Sequence, residues 1–237
     1  MDDDYEAMLN YVRAQLTDRE GTATEIDHYP FRQRTEHCWR IFQWAQRLAE
    51  GPFTTPVDRD SLLTAALFHD VGYALLPIPD DDGHAEKSAA IFEEYAAERR
   101  FDKDKQDFTT YLIRSHSQKA LLNSEGTPLE LVLLMEADLL DETGAMSIVW
   151  DCMAEGGQTE QSFAKTYQHI LRCSAKCLAN NPMRTEKARA IWGDKQALVR
   201  EFLRHLARDL GGNNCPTSAA LPAVPPGSGS RPAPPGR

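Results

Sequence analysis

The chain has 237 residues, enough for one large domain, and 41% of them are hydrophobic, which excludes a wholly disordered protein. It carries 36 acidic and 26 basic side chains, a formal charge of −10. This balance argues against nucleic-acid polymers and anionic membrane surfaces as partners, because both bind to clustered Lys and Arg. A small anionic substrate would need a local source of positive charge, and a metal ion is the simplest one.

The sequence predicts helices along nearly its whole length. Apolar residues recur with helical spacing through residues 1–210, and period-two alternation over a strand length is missing. We predict an all-α fold with helices over residues 2–16, 32–50, 56–72, 84–100, 104–118, 127–140, 144–155, 159–179 and 183–210. Two of them are expected to start at capping sequences of the same type, Thr55-Pro56-Val57-Asp58 and Thr127-Pro128-Leu129-Glu130.

Residues 211–237 differ in composition from the rest of the chain. They hold seven of the 14 prolines, five of the 14 glycines and no Asp or Glu, which predicts a disordered tail. The tail also carries two of the basic residues, so residues 1–210 alone have a formal charge of −12. The predicted organisation is an N-terminal helix and connector (1–29), a core (30–155), a C-terminal helical extension of the same domain (156–210) and the tail.

Targeting and cysteine patterns predict a cytoplasmic protein. The N-terminus is acidic and amphipathic, and no stretch approaches the roughly 18 apolar residues of a transmembrane helix. Five cysteines are an odd number and lack the paired spacing of a zinc site, as expected in a reducing compartment. Cys173 and Cys177, four residues apart, are interpreted as two buried thiols rather than a site.

Polar residues at inward positions form the strongest functional signal. His69 and Asp70 end the run Leu62–Phe68, which is apolar almost all round and predicts a helix buried on most sides. Polar groups at the end of such a helix need partners, because burying them unpaired is costly. An adjacent His-Asp pair does not by itself indicate a functional site.

Other candidate ligands occur on separate predicted helices. His37, His116 and Asp138 fall on apolar helix faces, and His84 stands at the start of the fourth helix. We expect four imidazoles and two carboxylates of this kind to hold a metal. Such donors suit Mn²⁺, Fe, Ni²⁺ or Zn²⁺ and suit Mg²⁺ less. The remaining histidines, His28, His169 and His205, are interpreted as structural or surface residues.

The order His…His-Asp…His…His…Asp resembles the HD-domain superfamily of metal-dependent phosphohydrolases. The resemblance covers about residues 30–155. It implies an HD-domain helical bundle in which His37, His69, Asp70 and Asp138 hold one metal ion. It further implies that Asp70 bridges to a second ion held by His84 and His116, with Mn²⁺ or Fe as the first choices. The matching segments are Glu36–Arg40, Ala65–Gly72, Gly83-His84, Arg114–Ser117 and Ala137–Asp141.

The activity implied is hydrolysis of a small phosphate ester or nucleotide by a metal-activated hydroxide at His69 and Asp70. Basic residues near the ligands are candidates for binding the phosphate, namely Arg34, Arg40, Lys87 and Lys119. Asp141 either orients a ligand or caps its helix. The segment Val71–Ala74, without a Gly-Tyr-Pro motif, argues against the cyclic-dinucleotide phosphodiesterases of the superfamily.

Two other functions remain open from the sequence. The same six-ligand pattern resembles HD-fold mixed-valence di-iron oxygenases, which cleave C–C or C–P bonds, and the ligands alone do not separate the two reactions. A non-catalytic metal-binding regulatory module is the third interpretation. That interpretation predicts a damaged ligand set, whereas all six positions are intact here. Substrate identity and oligomeric state are not predicted.

Overall fold

The computed structural model describes residues 3–17, 33–75 and 83–211, and every regular element within these ranges is a helix. The predicted all-α fold is confirmed. None of the described helices is long and apolar enough to cross a membrane. The chain divides into two compact units, Met1–Asp141 and Glu142–Arg237. The domain boundaries proposed from the sequence stay predictions, and the proposed tail from residue 212 onward lies outside the described ranges.

Within its described residues, the first unit contains six α-helices and two 3₁₀ turns. The 3₁₀ turns span Val71–Leu75, directly after the His-Asp pair, and Lys119–Asn123. The helices are α1 (Asp3–Thr17), α2 (Arg34–Leu48), α3 (Arg59–Phe68), α4 (His84–Arg99), α5 (Lys103–Ser115) and α6 (Leu129–Leu140).

Helix α3 is the centre of this unit. Every residue from Ser61 to Val71 is buried, and α1, α2, α5 and α6 all pack against α3. Burying one Leu or Phe side chain contributes about 1.5–3 kcal/mol, so a helix that is apolar on all sides is stabilised only when neighbours enclose it. This placement holds the C-terminal end of α3, with its two polar residues, inside the bundle.

Two helices begin later than the capping patterns predict. Asp58 caps α3, because its carboxylate accepts hydrogen bonds from the backbone N (3.1 Å) and the hydroxyl (2.7 Å) of Ser61. The helix therefore starts at Arg59, and Pro56 stays outside it. Thr127 does not cap α6, since its hydroxyl donates to the Leu121 carbonyl, and α6 begins at Leu129.

The second unit contains α7 (Ala145–Gly156), α8 (Phe163–Ile170) and α9 (Glu186–Asp209). The helix predicted over 159–179 begins at Phe163, with Ser162 as its cap, and widens into a π turn at Leu171–Ala175. The predicted burial of both thiols in this region is wrong, because Cys173 is half-buried and Cys177 is exposed. Both are thiols rather than halves of a disulfide, as expected.

Gly72 allows the turn after Asp70 to approach α4 closely. Its backbone N donates to the Ser88 hydroxyl at 2.8 Å. A Cβ atom at residue 72 would overlap the backbone oxygen of His84 and lie 2.5 Å from the backbone N of Ser88. Both neighbours belong to helix backbone, which cannot rotate away as a side chain could. Glycine at this position therefore sets the distance between the end of α3 and His84.

We predict that Gly72→Ala destabilises the protein by about 1–3 kcal/mol, the usual cost of overpacking. The matched control is Gly193→Ala in α9, where an added Cβ meets nothing within 4 Å. Alanine there should leave stability unchanged or raise it by about 0.5–1 kcal/mol, because glycine is unfavourable inside a helix. Thermal unfolding followed by circular dichroism measures both variants. Equal melting temperatures for Gly72→Ala and the wild type would contradict this account of the turn.

Candidate metal centre

The first unit brings all six predicted ligands together from five helices. His37 lies on α2, His69 and Asp70 directly follow α3, and His84 begins α4. His116 directly follows α5, and Asp138 lies on α6. Four of the six are buried, whereas His84 and Asp138 are half-buried. The buried residues are His37, His69, Asp70 and His116.

Their donor atoms form two groups that share Asp70. In the first group, His37 Nε2 lies 3.2 Å from His69 Nε2 and 3.5 Å from Asp70 Oδ2. Asp138 Oδ1 is also 3.5 Å from His37 Nε2. Atoms bound to one metal ion at about 2.0–2.2 Å are about 2.8–3.6 Å apart, so these separations fit a common ion.

The second group uses the other oxygen of the shared carboxylate. His84 Nε2 and His116 Nε2 are 3.2 Å apart, and they lie 3.6 Å and 3.5 Å from Asp70 Oδ1. Asp70 thus faces one group with Oδ2 and the other with Oδ1. A carboxylate in this position can bridge two cations.

Three of the imidazoles are oriented so that Nε2 faces the carboxylate. The Nδ1 of His69 donates to the Ala66 carbonyl at 2.9 Å, and that of His116 donates to the Ile113 carbonyl at 2.6 Å. His37 Nδ1 donates to Asp141 Oδ2 at 2.8 Å. A carbonyl only accepts, so the proton must be on Nδ1 in the first two rings. Fixing the far ring nitrogen in this way is the usual support of a metal-binding histidine.

Charge at the centre favours ionised carboxylates and a neutral His69. Burial lowers the pKa of His69 to about 3, which leaves a lone pair on its Nε2. Burial opposes ionisation of Asp70, but the surrounding imidazoles together with the Arg34 guanidinium outweigh it and hold the pKa of Asp70 well below its usual range. Burial likewise lowers the pKa of His37, yet hydrogen bonds with Asp138 and Asp141 raise it to about 9. The carboxylates therefore concentrate negative charge where the Nε2 atoms meet.

Asp141 orients His37, a predicted ligand, rather than only ending its helix. Besides accepting from His37, it accepts from Arg40 Nε and Nη2, each at 2.8 Å. The Asp141 side chain is 2% exposed. The guanidinium of Arg40, proposed from sequence as a phosphate ligand, thus holds the carboxylate that orients His37.

The other predicted phosphate-binding residues have different surroundings. Arg34 Nη1 donates to Asp70 Oδ2 at 2.8 Å, and Lys119 Nζ donates to Asp138 Oδ2 at 2.5 Å. Lys87 lies three residues after His84 on α4 and is half-buried. The structure therefore brings Arg34 and Lys119 directly to the ligands.

Tyr73 belongs to this site but was not predicted. Its ring stacks on His84 with a centroid distance of 4.6 Å and an interplanar angle of 12°. The Arg34 guanidinium lies 3.7 Å from the centroid of the same ring. The Tyr73 ring therefore contacts both Arg34, which pairs with Asp70, and His84 of the second group. The only sequence signal was its position three residues after Asp70.

Comparison with known proteins agrees with this geometry. The family model described as HD domain matches residues 34–143, which include all six converging residues. No curated protein matches the chain in sequence.

Solved structures share the fold. Bacillus subtilis YpgQ superposes with a TM-score of 0.58 at 18% identity, covering 88% of this chain and 96% of that one. A structure of YpgQ in complex with ADP gives 0.59 at 20% identity, covering 86% and 94%. Lin1889 from Listeria innocua gives 0.57 at 17% identity, covering 87% and 95%. At such identities the similarity shows the fold alone.

The family match and the converging histidines and aspartates point to the same region, residues 34–143. The resemblance found in the sequence is confirmed, since residues 34–143 match the HD domain, a family whose members are typically metal-dependent hydrolases.

Proposed function

We propose that the protein is a phosphohydrolase that uses two divalent metal ions to cleave a small phosphate ester or nucleotide. The observation that carries this proposal is the position of Asp70, whose two oxygens face two separate groups of imidazole nitrogens. One shared carboxylate between two nitrogen-rich groups is the arrangement expected of a pair of neighbouring cations.

The donor set assigns the residues that would hold each ion. His37, His69, Asp70 and Asp138 would hold one, and Asp70, His84 and His116 the other. Bound there, two divalent ions would supply a hydroxide at neutral pH and offset the negative charge of a phosphate. Nitrogen and oxygen donors in this ratio favour Mn²⁺ or Fe, with Ni²⁺ and Zn²⁺ also suitable and Mg²⁺ less so.

The chain's own cations would help to bind the phosphate. The Arg34 and Lys119 side chains are 21% and 31% exposed, so a substrate entering from solvent can reach both. Each already lies beside a ligand carboxylate. We keep Lys87 as a third phosphate-binding candidate, and we assign Arg40 the role of holding Asp141 in place.

A small nucleotide is the first substrate class to test. The acidic charge of the chain disfavours nucleic-acid polymers but permits a small phosphate compound bound through local cations. The solved complex of YpgQ with ADP supports the same class. Cysteines present as thiols fit the reducing cytoplasm proposed from the sequence.

The experiment that tests the reaction is an anaerobic phosphate-release assay. Purified full-length protein with Mn²⁺ should release phosphate from at least one member of a panel of nucleotides and small phosphate esters. In parallel, electron paramagnetic resonance of protein prepared with iron tests the oxygenase alternative. A mixed-valence di-iron signal perturbed by substrate, without phosphate release, would contradict the hydrolase proposal.

The ligand assignment predicts a distinct metal count for each variant. In protein loaded with Mn²⁺, His84→Ala or His116→Ala should lower the bound Mn²⁺ from about two ions per chain to about one, since only one group loses a donor. Asp70→Ala or His69→Ala should abolish activity, and Asp70→Ala should also remove most of the metal. Elemental analysis after dialysis measures the count.

His205→Ala is the control for these substitutions, because His205 is exposed on α9 and pairs with Glu201. It should keep the metal and the activity of the wild type. Full metal and full turnover in Asp70→Ala would show that the centre is assigned wrongly.

Asp141 is predicted to act through His37. Asp141→Asn keeps the size of the side chain but weakens its charge-assisted bond to His37 Nδ1, so affinity for Mn²⁺ should fall about 10–100-fold. Isothermal titration with Mn²⁺ measures this change. Excess Mn²⁺ should restore most of the turnover, which would not occur if Asp141 only stabilised the fold. The control is Asp107→Asn, the same change at an exposed residue of α5 that pairs with Lys103.

A further inference from the structure

The second unit contains its own group of metal-ligating side chains. Asp151 and Glu155 lie four residues apart on α7, and His169 and Cys173 lie four residues apart on α8 and the π turn that follows it. Donor atoms of Asp151, His169 and Cys173 all lie within 4.8 Å of one another. We propose that Asp151, His169 and Cys173 form a separate Zn²⁺ site, with Glu155 orienting the histidine.

Asp151 is the anchor of this cluster. Its side chain is 2% exposed, and a carboxylate buried to this extent needs strong compensation. The backbone N of Ser174 donates to Asp151 Oδ2 at 3.2 Å, and the Ser174 hydroxyl donates to the same oxygen. These bonds fix the carboxylate and turn Oδ1 toward the imidazole of His169.

The imidazole of His169 is held as a metal-binding ring would be. Its Nδ1 lies 3.1 Å from Glu155 Oε2, a hydrogen-bond distance. Its Nε2 lies 3.6 Å from Asp151 Oδ1, which is too long for a hydrogen bond but matches two ligands of one tetrahedral ion. The same arrangement of carboxylate, Nδ1 and inward Nε2 occurs at His37 and Asp141.

The π turn at Leu171–Ala175 sets the position of the thiol. Such wide turns are rare in helices and are frequent at functional sites. Here the turn includes both Cys173 and Ser174, so the residue that carries the sulfur and the residue that fixes Asp151 belong to one local distortion. The turn thus places the Cys173 thiol near His169 and near the Asp151 carboxylate, which lies on the facing helix α7.

The donor types select the metal. One sulfur, one imidazole nitrogen and one carboxylate oxygen suit Zn²⁺, which binds all three, and suit Mg²⁺, Ca²⁺ or Mn²⁺ poorly because of the thiolate. Three protein ligands leave a fourth tetrahedral position for water or another small ligand. The site also differs in chemistry from the six-residue centre, whose donors are nitrogen and oxygen alone.

That difference in chemistry makes Co²⁺ a selective probe. A thiolate bound to Co²⁺ gives an intense charge-transfer absorption in the near ultraviolet, whereas nitrogen and oxygen ligands do not. Titration of the reduced, full-length protein with Co²⁺ up to an excess over all sites should produce this absorption, and its final amplitude should correspond to about one thiolate-bound Co²⁺ per chain. Ions that bind at the HD centre do not contribute, so the result is independent of the proposed function.

Four variants test the ligand assignment. Cys173→Ser and His169→Ala should lose the absorption, while Cys177→Ser, which changes an exposed thiol four residues along, should keep it. Glu155→Gln should keep the absorption but require about 10–100-fold more Co²⁺, as expected for a residue that orients a ligand. Far-ultraviolet circular dichroism checks that each variant is folded.

Competition with Zn²⁺ completes the test, since Zn²⁺ in excess over all sites should abolish the absorption. If the reduced wild-type protein gives no thiolate absorption, His169 only contacts Asp151 and Glu155 without a metal ion, and the proposal is overturned. Absorption that survives in Cys173→Ser, or disappears in Cys177→Ser, would overturn it equally.

Discussion

The buried charge of Asp70 is the constraint on which the centre of this protein depends. A carboxylate taken out of water costs several kcal/mol unless cations or hydrogen-bond donors surround it. Here the compensation comes from Arg34 on α2 and from histidines on α2, α3, α4 and α5. One charge therefore requires four helices to converge. The end of a fully enclosed helix is a suitable place for it, because α3 is held on several sides and cannot move the carboxylate away from its partners.

Helical periodicity was sufficient to predict the class of fold and the inward direction of His37 and His116, because a 3.6-residue repeat fixes which side chains share a face. It could not predict the helix starts, where Asp58 and Thr55 compete as caps over a few residues. Nor could it assign Arg40 or settle the role of Asp141, since their contact spans 101 residues of chain and exists only in the folded protein. Tyr73 was not predicted for a related reason. It lies in a five-residue 3₁₀ turn, which is too short to show a periodic pattern in the sequence.

The cluster in the second unit shows a different limit of sequence interpretation. Asp151 with Glu155 and His169 with Cys173 each have the four-residue spacing of a helical face, so the pattern was present in the sequence. Two of these residues had simpler interpretations when taken alone, His169 as a structural or surface histidine and Cys173 as a buried thiol. What the sequence lacked was the pairing of the two helices and the π turn that places Ser174 against Asp151. Convergence of donors is a property of tertiary structure, and short spacings within one helix indicate it only weakly.

The acidic charge of the chain bears on how a phosphate compound would reach the HD centre. A formal charge of −12 over residues 1–210 repels anions at long range, but at physiological salt this field is screened beyond about 8 Å. Attraction must therefore come from groups within a few ångströms of the substrate, and Arg34 and Lys119 are partly exposed at that distance from Asp70 and Asp138. Arg34 pairs with Asp70, and Lys119 pairs with Asp138. A metal ion would compete with these two cations for the carboxylates, and a phosphate would compete with the carboxylates for the two cations. In the proposed reaction, metal and substrate binding would thus be coupled through Arg34 and Lys119, and the acidity of the chain is compatible with a small anionic substrate although it disfavours a polymer.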